Sequence, residues 1–172
     1  MLFRSRRDVA ITVSDERDEL LDTGGGIARA LAMLGREPFF VMNSDGFWIE
    51  SGMPALERLA GAWDQARMDC LLLLGDPRQA TGHGGKSDFL MDESGRLKRS
   101  AGSAEGLVYI GAFIADPHIF INLPARKFSM NVLWDRAIAG GRLHGLCHDG
   151  AWLHVGTPEA IDEAERRLAS LS

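Results

Sequence analysis

Cys70–Leu74 is apolar at every position, with no polar alternation. Such a run predicts a strand buried on both faces. Gly106–Ile114 predicts a second long strand, and Pro38–Asn43 a third that runs directly into Ser44-Asp45-Gly46. Val9–Val13 alternates and is β-branched, which predicts a short strand at the front. Apolar residues at helical spacing (Leu56, Leu59, Ala60, Trp63) predict a helix over Pro54–Met68. A second helix is predicted over Ile27–Leu34, entered from an Asp22–Gly26 loop and stopped by Gly35, and a third over Phe128–Ala139, stopped by Gly140-Gly141. Asp76–Ser87 is polar and glycine-rich, hence a loop; His118–Ile121 is short and apolar. Asp88–Met91 and Arg96–Lys98 are expected to pair across the turn Asp92–Gly95. Leu143–Leu146 and Ala151–Val155 read as strands joined by the turn His148-Asp149-Gly150. Pro158–Leu171 reads as a closing helix with Thr157 as N-cap and Glu159 in its first turn. Strands and helices alternate, so the expected fold class is α/β with a mostly parallel sheet.

Length and composition narrow the function classes. The chain has 172 residues, 45% hydrophobic and 25% charged, which fits one packed domain over 1–172. A net charge of -5 points away from nucleic acid as a partner. No apolar run approaches the ~20 residues of a membrane span. Arginines at 4, 6 and 7 are not followed by the apolar stretch of a signal peptide. The two cysteines, Cys70 and Cys147, belong to no paired motif and suit a reducing, cytoplasmic setting.

Four places carry candidate chemistry. Asp45 follows an apolar strand, where α/β sheets bind ligands and where a carboxylate can hold Mg2+ against phosphate; an ordinary turn aspartate is the alternative. Leu21-Asp22-Thr23-Gly24-Gly25-Gly26 leads into a helix, so its glycines and free N–H groups could admit a ligand. It is not a dinucleotide fingerprint, because Arg29 stands at the third glycine position. Gly82–Ser87 ends like a P-loop, but Ala80 replaces the first glycine and no helix is predicted after it. His144, Cys147, His148 and His154 cluster in the sequence, but without the spacing of a zinc site.

These segments, with Val108-Tyr109-Ile110-Gly111, Phe128–Asn131, Leu133-Trp134-Asp135 and Trp152–Glu159, occur in an order that resembles the sugar-1-phosphate nucleotidyltransferases. The resemblance covers nearly the whole chain and is strongest to the N-acetylmuramate 1-phosphate uridylyltransferase and mannose-1-phosphate guanylyltransferase branches. It implies a three-layer Rossmann-like fold. It also implies a reaction in which a nucleoside triphosphate (UTP or GTP) and a sugar 1-phosphate give a nucleotide sugar and pyrophosphate, with Mg2+ as cofactor. The residue matching the family's catalytic, metal-binding acid is Asp45. Asp22, Thr23 and Gly24 match the loop that lies against the base. Gly85, Tyr109 and Gly111 match sugar-site positions, and Arg99 lies near another. His154 stands where many relatives carry an aspartate as second metal ligand.

Family members open with a strand, a glycine-rich, arginine-containing loop and a Pro-Lys-Pro type segment that wrap the triphosphate. None of these is present, and Arg4–Val13 resembles a later helix end and strand. The expectation is therefore a C-terminal two-thirds of the family domain (a fragment, a mis-assigned start or a split gene) that is inactive by itself. The alternatives are a non-catalytic, nucleotide-sugar-binding regulatory homologue and an interaction domain completed by a partner chain.

Overall fold

The computed structural model describes residues 9–50, 52–121, 123 and 126–170. Arginines 4, 6 and 7, and the final residue of the predicted closing helix, Leu171, lie outside them. Strand β3 (Cys70–Gly75) is buried along its whole length. Its side chains alternate, as a pleated strand requires. Cys70, Leu72 and Leu74 face one core, shared with Ile27 and Leu31 of helix α1 (Asp22–Leu34) and Leu133 and Trp134 of helix α3 (Asn131–Ala139). Leu71 and Leu73 face the other, with Ala55 and Leu59 of helix α2 (Ala55–Ala62). An unbroken apolar strand thus acquires helices on both faces, giving three α/β/α layers.

Around β3 lies a four-stranded sheet in the order β1-β7-β3-β8. It comprises β1 (Phe39–Met42), β7 (Val108–Ala115) and β8 (Leu143–Cys147) besides β3. The α/β class stands, but the sheet is mixed rather than mostly parallel. β1 and β3 both run antiparallel to β7, and β3–β8 is the parallel pair. Neither antiparallel partner is a sequence neighbour, so hairpin patterning gives no sign of them. A smaller sheet, β2-β9-β4, joins β2 (Gly46–Trp48), β9 (Trp152–His154) and β4 (Ala80–Thr81). Helix α4 (Pro158–Ala169) follows, its Thr157 hydroxyl accepting from the Ala160 N–H as an N-cap. The hairpin β5 (Phe89–Met91) and β6 (Leu97–Arg99) pairs as expected.

Several expectations are corrected. Val9–Val13 forms no strand; Val9, Ile11 and Val13 are exposed, and no described strand pairs with them to satisfy their backbone. Asp22–Gly26 is not a loop but the opening of α1. Its glycines serve close packing: a Cβ on Gly24 would lie 2.4 Å from the Phe128 ring, and the Gly25 N–H donates to the Phe128 carbonyl at 3.0 Å. Helix α2 stops at Ala62, with Trp63 already extended. Phe128 to Met130 precede α3 rather than belonging to it, and Pro117–Phe120 is a 3-10 turn. Strands β8 and β9 join different sheets despite their short connection.

Candidate active site

The small sheet creates the site. Pairing of β2 with β9 sets Gly46 opposite His154, and the Val155 N–H donates to the Asp45 carbonyl at 2.8 Å. Asp45 and His154, 109 positions apart in a chain numbered 1–172, therefore sit side by side at the mouth of the main sheet. β7 supplies the opposite wall. Gly111, at φ 103°, takes a conformation that side chains resist, and its carbonyl accepts from the Asn43 N–H at 2.8 Å. There β1 leaves β7 and the chain turns toward Asp45.

A cleft of about 240 Å³ results, lined by Asn43, Asp45, His83, Asp88, Tyr109, Gly111, Trp152 and His154. The Asp45 carboxylate accepts no hydrogen bond and joins no ion pair among the described residues. The Tyr109 backbone N–H is held by Asp88 at 3.0 Å, and its hydroxyl faces Asn43 Oδ1 at 3.5 Å. Burial, then the negative charge of Asp45, pushes the Tyr109 hydroxyl well above its ordinary pKa, so it stays a neutral donor. The His83 ring packs on Trp152, with centroids 5.1 Å apart. Among the described residues, no group of three or more His, Cys, Asp or Glu side chains could by itself enclose a metal ion.

A second cavity of about 650 Å³ adjoins the cleft and shares Asn43 and Tyr109 with it. Asp22 and Thr23 line it, together with Phe113, Lys127, Met130 and Trp134. Gly24 is buried behind that wall under Phe128. Thr23 is tied in place: its hydroxyl accepts from the Met130 N–H at 3.2 Å and lies 3.3 Å from Asp22 Oδ1.

The structure thus brings Asp45, Tyr109, Gly111 and His154 to one cleft, and Asp22 and Thr23 to the adjoining cavity. Gly85 is exposed at the rim, against the His83 ring, and is not among the lining residues. Arg99 is drawn away from the cleft; it binds Asp135 and Asn131 at 2.8 Å each and covers the Phe89 ring. Asn43, His83, Asp88 and Trp152 are site residues that sequence reading missed. Asn43 lies two positions before Asp45, and Trp152 opens the Trp152–Glu159 segment, so these two had a signal. Burial pushes both cysteine thiols above their ordinary pKa, away from the reactive thiolate form. No described helix is long and apolar enough to cross a membrane.

Comparison with known proteins agrees with this geometry. No family model matches the chain. It is 42% identical over 160 residues to an N-acetylmuramate alpha-1-phosphate uridylyltransferase of Caulobacter vibrioides, covering 92% of the chain and 66% of that protein. It is 28% identical over 158 residues to the protein of that name from Neisseria meningitidis, covering 91% of the chain and again 66% of the relative. The chain spans just under two thirds of the length of both. Among solved structures, a UDP-glucose pyrophosphorylase complexed with UDP-glucose superposes with a TM-score of 0.69 at 17% identity, over 90% of this chain and 64% of that one. HddC from Yersinia pseudotuberculosis does so at 0.66 and 18%, over 88% and 64%. With the fold of these structures, the paired cavities at the sheet mouth and this level of identity, the chain belongs to the sugar-1-phosphate nucleotidyltransferases.

Proposed function

We propose that the two joined cavities form a nucleotidyl-transfer site, in which the 1-phosphate of a sugar attacks the α-phosphorus of UTP. The new P–O bond forms as the bond to the departing pyrophosphate breaks, leaving a UDP-sugar. The observation that carries this reading is the junction at Asn43 and Tyr109. There a cleft holding an unpartnered carboxylate meets a larger, mainly apolar cavity. Such a pair suits a polar phosphosugar beside a flat, apolar-faced base. The relatives' name favours UTP and an N-acetylmuramate-type acceptor for this chain.

The described residues would position more than react. Tyr109 stays a neutral donor toward ligand oxygens, and Asp88 holds the backbone beneath it. The donor set fits Mg2+: Asp45 offers a free hard oxygen, and Mg2+ usually keeps several waters and takes few protein ligands. His154 is the poorer candidate ligand, since imidazole suits softer ions and adds no negative charge. Bound there, Mg2+ would neutralise developing phosphate charge.

One observation favours a second reading, a nucleotide-sugar binder without turnover. Lys127 is the lone Lys or Arg among the described residues lining the two cavities. One ammonium balances little of a triphosphate's charge. We therefore expect the 172-residue chain to bind UDP-N-acetylmuramate yet release pyrophosphate from UTP and N-acetylmuramate 1-phosphate only at background rate. Calorimetric titration with and without Mg2+ separates the readings. Mg2+-dependent binding supports a transfer site, Mg2+-independent binding the second reading, and no binding contradicts both.

A further inference from the structure

Asp88, the residue before β5, lines the small cleft. Its backbone is held on both sides. The N–H donates to the Leu107 carbonyl at 2.8 Å, and the carbonyl accepts from the Ser100 N–H at 3.0 Å. The carboxylate is anchored as well, because Oδ2 accepts from the Tyr109 N–H at 3.0 Å. The side chain therefore lies against the β7 wall of the cleft, formed by Val108, Tyr109 and Ile110.

The second carboxylate oxygen, Oδ1, is spare. It takes part in no hydrogen bond or ion pair among the described residues. Nor is it enclosed: Asp88 is half-buried, and Oδ1 is not one of the buried side-chain oxygens and nitrogens left without a partner. An anchored carboxylate thus keeps one reachable acceptor in the wall of the cleft.

The charge of the cleft narrows what that acceptor takes. Asp45 shares the cleft, and no Lys or Arg among the described residues lines it. An anionic group is repelled there, whereas a neutral donor is attracted. A hydroxyl can rotate its proton onto a fixed acceptor, and a bond to a charged oxygen is roughly twice as strong as one between neutral groups.

We propose that Asp88 is a specificity-determining residue whose Oδ1 accepts a hydrogen bond from a ring hydroxyl of the sugar. The inference rests on the transfer-site reading. In an N-acetylmuramate-type sugar, C1 carries the phosphate, C2 the acetamido group and C3 the lactyl ether, which leaves the hydroxyls at C4 and C6. The lactyl carboxylate turns away from Asp88.

The test titrates UDP-N-acetylmuramate and its 4-deoxy and 6-deoxy forms, with Mg2+ present, into the 172-residue chain and its Asp88→Asn variant. Asparagine keeps the shape, and its carbonyl oxygen can still accept from the Tyr109 N–H, while its amide group replaces the charged oxygen. In the parent, one deoxy form should bind about 10- to 100-fold more weakly than the complete sugar. In the variant that gap should shrink to about threefold or less. Loss with the 4-deoxy form assigns the contact to C4, and loss with the 6-deoxy form assigns it to C6. Should the variant not fold, the Asp88 carboxyl 13C signal of the parent reads the same contact. It should shift with UDP-N-acetylmuramate and stay in place with the deoxy form that binds weakly. Equal binding of all three ligands by the parent, a gap that survives in the variant, or a carboxyl signal indifferent to the missing hydroxyl overturns the inference and leaves the transfer site standing. A parent chain that binds none of the three overturns both.

Discussion

The two ends of strand β3 teach opposite lessons about charge. At its start, Asp69, Asp116, Arg142, His118 and Gln65 converge, and every one has a partner. The Arg142 guanidinium meets the Asp69 carboxylate and donates to the carbonyls of Ala66, Gln65 and Met68 at 2.8, 3.0 and 3.1 Å. His118 reaches Asp116 at 2.7 Å and Asp69 at 3.3 Å, and Gln65 donates to Asp116 at 2.8 Å. At the other end lie Asp45 with its carboxylate unpartnered, a buried His83 nitrogen without a partner and, behind the junction, the unmet Trp134 N–H. The satisfied groups tie segments together at one end of the strand, while at the other the Asp45 carboxylate stands open in the cleft.

The sharpest way to break this contrast is Arg142→Met. Removing one member of a half-buried network leaves the Asp69 carboxylate with His118 alone and releases three backbone carbonyls. The expected loss is about 3 kcal/mol, at the low end for buried pairs because the Arg142 side chain is 33% exposed. Urea unfolding reads it. A loss below about 0.5 kcal/mol would show that the cluster is not the clamp it resembles.

Gly24→Ala tests the wall between the regions. Its new methyl would meet the Phe128 ring at 2.4 Å and the Phe128 carbonyl at 2.9 Å. Because a backbone atom cannot swing aside, a destabilisation of about 1–3 kcal/mol is expected. An unchanged urea midpoint would mean that segment 126–128 yields freely.

The smallest expected effect concerns His144, which is 1% exposed with both ring nitrogens unpartnered. Burial pushes its pKa below the ordinary value. The unfolded chain therefore takes up a proton at about pH 6.5 that the folded chain resists. The stability from this group is full above that pH and declines as pH falls through it. His144→Leu should shrink the loss between pH 7.5 and 5.5, as followed by thermal unfolding. An unaltered difference would place the acid sensitivity elsewhere.

Legibility divided along the same line. β3 and β7 announced themselves because a strand covered on both faces must be apolar throughout. The ends of α1 and α4 were marked by Gly35 and Thr157. Of the small sheet only β9 was legible, as the expected strand Ala151–Val155; β2 and β4, three and two residues long, carry no usable periodicity, and Ala80–Thr81 read as loop. The same holds for the site. Asp45 was legible from its place after a strand, whereas His83 and Trp152 reach the cleft through tertiary pairing of β9 with β2 and β4, and Asp88 through its backbone bond to Leu107 before β7. The Asp22–Gly26 segment misled because glycines that admit a ligand and glycines that admit a neighbouring chain segment look alike in sequence.

The most direct measurement is calorimetric titration of UDP-N-acetylmuramate into the parent chain and Asp45→Asn, at saturating Mg2+ and in chelator. Stability of the variant should stay within about 0.5 kcal/mol of the parent, since the carboxylate has no partner to lose. Mg2+ should tighten binding to the parent and do little for the variant, which should bind at least about tenfold more weakly when the ion is present. Equal, Mg2+-enhanced affinity in both proteins would contradict the assignment of Asp45 as the acid of a nucleotidyl-transfer site.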